Sequence, residues 1–280
     1  MSVVPLRSAR RLESLATAER SGRFDVRVMD LADVSFLDPV HLVGVAAGAH
    51  LAASQGGRLR LTGLSDDQAA YAARMHLGQI IEQFGGEHDL PSVRERDLHD
   101  SLLEVRLLRT REDVRELTAL VYHRVGAQDA DVAHALHVAL AEVGSNVCDH
   151  AESIGFMAAQ TIAEHAVLRF AVADSGVGLF NTLAGRGAVD DRSALNMALS
   201  GTSRSEAPGH GTGLPSTVDI VSSLEGEILL ASGAAATSAT ALGRRHYELA
   251  HHFQGTIFEG AVPATTGRHR RGGLYWGPGK

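Results

Sequence analysis

In the stretch LAEVGSNVCDHA, residues 140–151, Glu142, Asn146 and His150 recur at intervals of four inside an otherwise apolar helical pattern. On a helical wheel of ~100° per residue, Leu136, Leu140, Val143 and Val147 fall in one narrow stripe that must face a core. Glu142 and Asn146 stand about 40° apart and roughly 100° from the centre of that stripe, so their side chains emerge where the packed face meets open space. A carboxylate can orient or deprotonate a hydroxyl, and an amide oxygen is a neutral ligand for a hard cation. Two glycine-rich segments add a different chemistry. After the strand-like AVLRFAVA comes DSGVGLF, with Asp174 at the strand's end and Gly176 and Gly178 freeing the backbone. Later, PGHGTGLPS sets Gly209, Gly211 and Gly213 directly before a helix, where free N–H groups and the helix dipole favour an anion.

Each of these features has a plain reading by itself. Glu and Asn on a helix flank are commonly solvated, and His150 suits a helix C-terminus. DSG after a strand can be a hairpin turn, and GxGxG can be a loose connection. The order and spacing of all three together are what single them out.

The elements that must position them alternate along the chain. FDVRVMDL reads as a strand, PVHLVGVAAGAHLAASQGG as a helix opened by Pro39 and closed by Gly56 and Gly57, and RLRLTG as a second strand. SDDQAAYAARMHLGQIIEQFGG predicts one helix from Ser65 to Gly85, capped by Ser65 and two acids. This alternation implies a small α/β unit with a mostly parallel or mixed sheet. The polar segment 87–100 follows as a connector. Beyond it the pattern restarts, with a strand in SLLEVRLLRT, a helix in REDVRELTALVYHRVG, a long helix capped by Asp129 or Asp131 and ending at Ala151, and paired strands in GFMAAQTI and AVLRFAVAD. A short helix in ALNMALSG, a helix in TGLPSTVDIVSSLEG and three apolar runs, EILLASG, ATALGRRHYEL and GTIFEGAV, complete the pattern.

The acidic-Asn helix, the strand-terminal DxGxG and the later GxGxGL resemble the N box and the two glycine boxes of the GHKL, or Bergerat, ATP-binding fold. AEVGSNVCDHA and the loop GTSRSEAPGHGTGL are most similar to the anti-sigma-factor serine kinase branch. The resemblance spans roughly residues 100–263 and implies an α/β sandwich, a mixed sheet packed on helices, that binds ATP and Mg²⁺. It implies Asp174 as acceptor for the adenine amine, Gly176 and Gly178 beside the base or ribose, Asn146 on Mg²⁺, and Glu142 as the catalytic residue that orients or deprotonates the attacking water or protein hydroxyl. It further assigns Gly209, Gly211, Thr212 and Gly213 to phosphate, and matches Gly255 and Thr256 to a late Gly-Thr element. No GxxxxGK[ST] loop occurs and no lysine flanks the second glycine box, so charge compensation falls to Mg²⁺, backbone dipoles and Arg204. The related kinases pair through their nucleotide domains, which implies a homodimer.

DLADVSFLDPVHLVGVAA resembles the STAS domain of anti-sigma-factor antagonists. Asp38 is retained, but Pro39 and Val40 stand where that family carries its hydroxyl-bearing pair, so this unit is not expected to be phosphorylated there. The resulting organisation is a STAS-like domain over 1–90, a linker over 91–100, the GHKL domain over 101–263 and a basic tail over 264–280. The partner implied is a protein, a STAS-type antagonist or a sigma-like regulator.

Composition narrows the alternatives. Across 280 residues, 44% hydrophobic content supports a substantial core, while the formal charge of −7 argues against direct nucleic-acid binding. No apolar run is long enough to span a membrane and no secretory leader is evident, so a cytoplasmic protein is expected. The single cysteine, Cys148, fits a reducing compartment. Among the 15 histidines, His134 with His137 and His251 with His252 lack a third partner at zinc spacing. A histidine kinase is disfavoured, because only about 30 residues separate the connector from the Asn146 helix, too few for a two-helix phosphoacceptor module.

Overall fold

The computed structural model describes residues 19–21, 25–92, 102–126, 129–162, 167–203 and 213–263. The first unit is a four-stranded sheet, β1 (Glu19–Ser21), β2 (Val26–Asp30), β3 (Arg58–Thr62) and β4 (Glu87–His88), in that spatial order. β1 runs antiparallel to β2, and β2, β3 and β4 are parallel, the mixed sheet that the alternating pattern implies. Helix α1 (Pro39–Ser54) joins β2 to β3. Proline at the first helical position costs no hydrogen bond, and Asp38 before it has the extended backbone of an N-cap.

The helix expected from Ser65 to Gly85 is two helices, α2 (Asp66–Arg74) and α3 (Leu77–Gln83). The chain breaks at His76, which adopts a left-handed φ of 60°. The break frees the Met75 carbonyl to accept a 3.0 Å bond from Val105 N–H, a contact that a continuous helix would forbid. The Ser65 cap is as expected, exchanging hydrogen bonds with Gln68 in both directions. β4 occupies the first residues of the polar segment read as a connector, whereas residues 93–100 lie outside those described.

The second sheet has the order β5 (Leu102–Leu108), β6 (Gly155–Ile162), β7 (Val167–Asp174), β9 (Gly243–Pro263), β8 (Glu227–Thr240). Every neighbouring pair is antiparallel, which corrects the expectation of a mixed sheet here. The reason is the connection. Helices α4 (Arg111–Gly126) and α5 (Ala130–His150) run out and back between β5 and β6, so β6 starts beside the end of β5, with Gly155 opposite Leu108, and runs the other way. The three apolar runs at the C-terminal end form two long strands, because the turn at Ala241 and Leu242 falls inside the middle run, with Gly243 at φ 124° just after it.

Period-2 alternation divides the second sheet into two buried faces. Leu168, Phe170 and Val172 point to α4, α5, α7 (Asp191–Leu199) and α8 (Gly213–Ser223). Ala171 and Ala173 point the other way and join a core shared with α1. That explains why α1 is apolar on every side: it lies between the first sheet and the second, with Val40, Leu42, Val43 and Val45 fully buried. The junction also has a polar anchor. Arg169 on β7 lies 3.2 Å from Glu259 on β9 and 3.4 Å from Asp38, and all three side chains are buried. Tyr71 donates 2.7 Å to Gln160 across the same junction, and burial, reinforced by Asp38, pushes its hydroxyl well above the usual range. Among the described residues no helix is long and apolar enough to cross a membrane.

Candidate functional site

A cavity of about 340 Å³ opens between the helix-covered face of the second sheet and helices α5, α6 (Gly178–Leu183), α7 and α8. Glu142, Asn146, Asp174, Gly178, Gly213 and Thr256 line it, brought together from four separate segments of the chain. The local reasons are visible in the sequence. Val143 and Val147 are buried on α5, whereas Glu142 and Asn146, off that stripe, are half-buried at the cavity wall. On β7, Asp174 continues the Phe170 and Val172 face, and on β9 Thr256 continues that of Phe258, so both side chains reach the same side of the sheet.

Asp174 is only 4% exposed. Burial pushes its carboxyl up to about 6, and hydrogen bonds from the backbone N–H groups of Gly176 and Thr256 work against that rise. The Gly176 bond is 2.8 Å to Oδ1. Gly255 makes this geometry possible: its φ is +91°, and a Cβ there would stand 2.2 Å from the Asp174 carbonyl oxygen. Ser232 completes the support, donating 2.7 Å to the Gly255 carbonyl and accepting 2.9 Å from Leu179 N–H.

Gly176 itself does not line the cavity. A Cβ on it would stand 1.9 Å from the Ala151 carbonyl oxygen, so the residue lets the loop after β7 cross the end of α5. Gly213 opens α8, and the space a Cβ would fill is occupied by the Glu142 carboxylate, with Oε1 1.5 Å from that position. Gly209, Gly211, Thr212 and Arg204 lie outside the described residues.

No protein-family model matches the chain, and no curated protein matches it. The site therefore rests on its own geometry.

That geometry adds residues the sequence did not single out. Arg111, the first residue of α4, and Asp149 both line the cavity and are joined by two hydrogen bonds. The start of α4 is held by Thr110 and Asp113, each accepting from the other's backbone N–H. Asp149 was within reach of pattern reasoning, three residues beyond Asn146; Arg111 carried no local signal. Thr182, Thr202 and Ser203 supply hydroxyls along the wall, and Val172, Leu230 and Phe258 supply an apolar floor. His150, third in the helix row, also lines the cavity. Among the described residues no cluster of three His, Cys, Asp or Glu side chains could hold a metal ion by itself.

Chemically, the cavity offers an apolar surface with one buried carboxylate, an amide oxygen and a second carboxylate on α5, and the first turn of a helix. Its volume falls in the range of small-molecule sites, roughly 300–1,000 Å³.

Proposed function

We propose that this protein binds ATP with Mg²⁺ and regulates a partner protein, in the manner of the anti-sigma-factor serine/threonine kinases. The observation that carries the reading is the convergence of Glu142, Asn146, Asp174, Gly213 and Thr256 on one cavity. A purine fits against Val172, Leu230 and Phe258 with its exocyclic amine donated to Asp174; guanine would present a carbonyl there instead. Asn146 would hold Mg²⁺, an ion that takes few protein ligands and completes its shell with phosphate oxygens and water, which suits a rim without a three-residue metal cluster. The bound ion supplies neutralisation of phosphate charge.

Glu142 is then placed to take the proton of an attacking serine or threonine hydroxyl as the γ-phosphoryl passes to it and ADP leaves. The acceptor belongs to another protein, a STAS-type antagonist or a sigma-like regulator. The chain's own Asp38, Pro39 and Val40 offer no hydroxyl and are buried beneath the second sheet.

A second reading is an ATP-gated switch or slow ATPase without protein kinase activity, the STAS-like unit serving as interaction surface. It is favoured by the contact of Ser175, next to Asp174, with His50 of α1. Titration calorimetry with ATP, ADP and GTP in magnesium, followed by incubation with γ-labelled ATP and STAS-type partners, decides. Label on a partner hydroxyl supports the kinase; labelled free phosphate supports the ATPase; adenylate binding without either supports the switch. No heat with any adenylate, together with a silent Asn146→Ala change, ends all three.

A further inference from the structure

A triphosphate needs cationic compensation beyond one Mg²⁺, and among the described residues lining the cavity Arg111 is the one Lys or Arg. Its guanidinium grips Asp149 as a fork, Nε to Oδ1 at 3.2 Å and Nη2 to Oδ2 at 2.7 Å. Asp149 is three residues beyond Asn146 on α5, so the two side chains are neighbours on the helix surface. The paired fork fixes the guanidinium plane, and of the five N–H donors of an arginine these bonds engage two. The Arg111 side chain remains 60% exposed while that of Asp149 is 26% exposed, so the guanidinium stands at the mouth with donors to spare.

Resting on the nucleotide reading above, we propose that Arg111, oriented by Asp149, reads the phosphate chain and sets this cavity's preference for phosphorylated adenylates over adenosine. Arginine suits the task because its planar fork matches phosphate oxygens while keeping its charge at every physiological pH. A purely structural ion pair at this exposure would contribute little to stability and nothing to phosphate selectivity.

The test measures Mg·ATP and adenosine affinities, the latter by competition, for the full-length wild type, Arg111→Gln and Arg111→Lys, with thermal midpoints alongside. Arg111→Gln is expected to weaken Mg·ATP by about tenfold or more, the loss of a charge-assisted hydrogen bond. Adenosine affinity should stay within about twofold and the midpoint should not move, since only the phosphate contact is removed. Arg111→Lys, which keeps the charge without the fork, should fall between. The inference is overturned if Arg111→Gln binds Mg·ATP like the wild type, or if ATP and adenosine weaken together. A wild type that binds neither compound removes the nucleotide reading itself, and this inference with it.

Discussion

Asp174 and Ser175 are consecutive residues that serve opposite sides of the second sheet: Asp174 lines the cavity, and the Ser175 hydroxyl meets Nδ1 of His50 at 2.7 Å. Asp174 is the last residue of β7 and Ser175 the first beyond it, so the end of one strand joins the floor of the site to the first unit through one peptide bond. Ser153 approaches both partners, at 3.3 Å from Ser175 Oγ and 3.5 Å from His50, and Phe84 meets the His50 ring edge-on at 5.1 Å.

This contact should be pH-sensitive. Burial holds His50 below its ordinary value of 6.5, so the unfolded chain binds its proton more readily than the folded one. Stability from this group is therefore present above the ordinary value and is lost on acidification through and below it. His50→Gln should flatten the stability difference between pH 7.5 and pH 5.5 in urea melts; an unchanged slope would assign the dependence elsewhere.

Asp174 should show the opposite sign. Its carboxyl, raised to about 6 from 3.8, binds protons more tightly in the folded state, so the cost of the buried charge is full above about 6 and fades on acidification from there to 3.8. Asp174→Asn should stabilise the protein at neutral pH, by up to about 3 kcal/mol from the size of the shift. That gap should narrow as pH falls through 6. On the proposed nucleotide reading, the same substitution should weaken adenylate binding by about tenfold or more, since it replaces a charged acceptor. A variant more stable and less able to bind is the expected outcome of paired melting and calorimetry.

Glycine substitutions should separate close packing from open turns. Gly176→Ala places a Cβ against the backbone of Ala151, which cannot yield as a flexible side chain would, and should cost more than about 2 kcal/mol. At Gly185 nothing lies within 4 Å of the added carbon, and Gly185→Ala should stay within about 0.5 kcal/mol. Chemical denaturation of the two variants side by side checks both.

The anchor between the units should be sensitive to removal of its cation. Arg169→Met leaves Asp38 and Glu259 buried without their shared partner and should cost about 3–5 kcal/mol. Hydrogen exchange should show α1 losing protection before α5, since α1 is the helix seated on that anchor.

Much of the local architecture was legible from residue order. The stripe of Leu136, Leu140, Val143 and Val147 is buried, the long helix ends where its pattern ends, and Asp174 closes its strand. Such features depend on interactions within a turn or two of chain, which a sequence displays directly. The α/β class followed for the same reason. The tertiary structure alone decided the rest. The all-round burial of α1 needs two sheets, one of them from beyond the connector. The helix break at His76 answers a carbonyl wanted by β5, and the strand direction in the second sheet answers an out-and-back helix pair. Arg111 meets Asp149 across 38 positions and His50 meets Ser175 across 125. Distance along the chain carries no local period or cap to reveal such pairs; they exist only because burial of the two sheet faces forces these segments together.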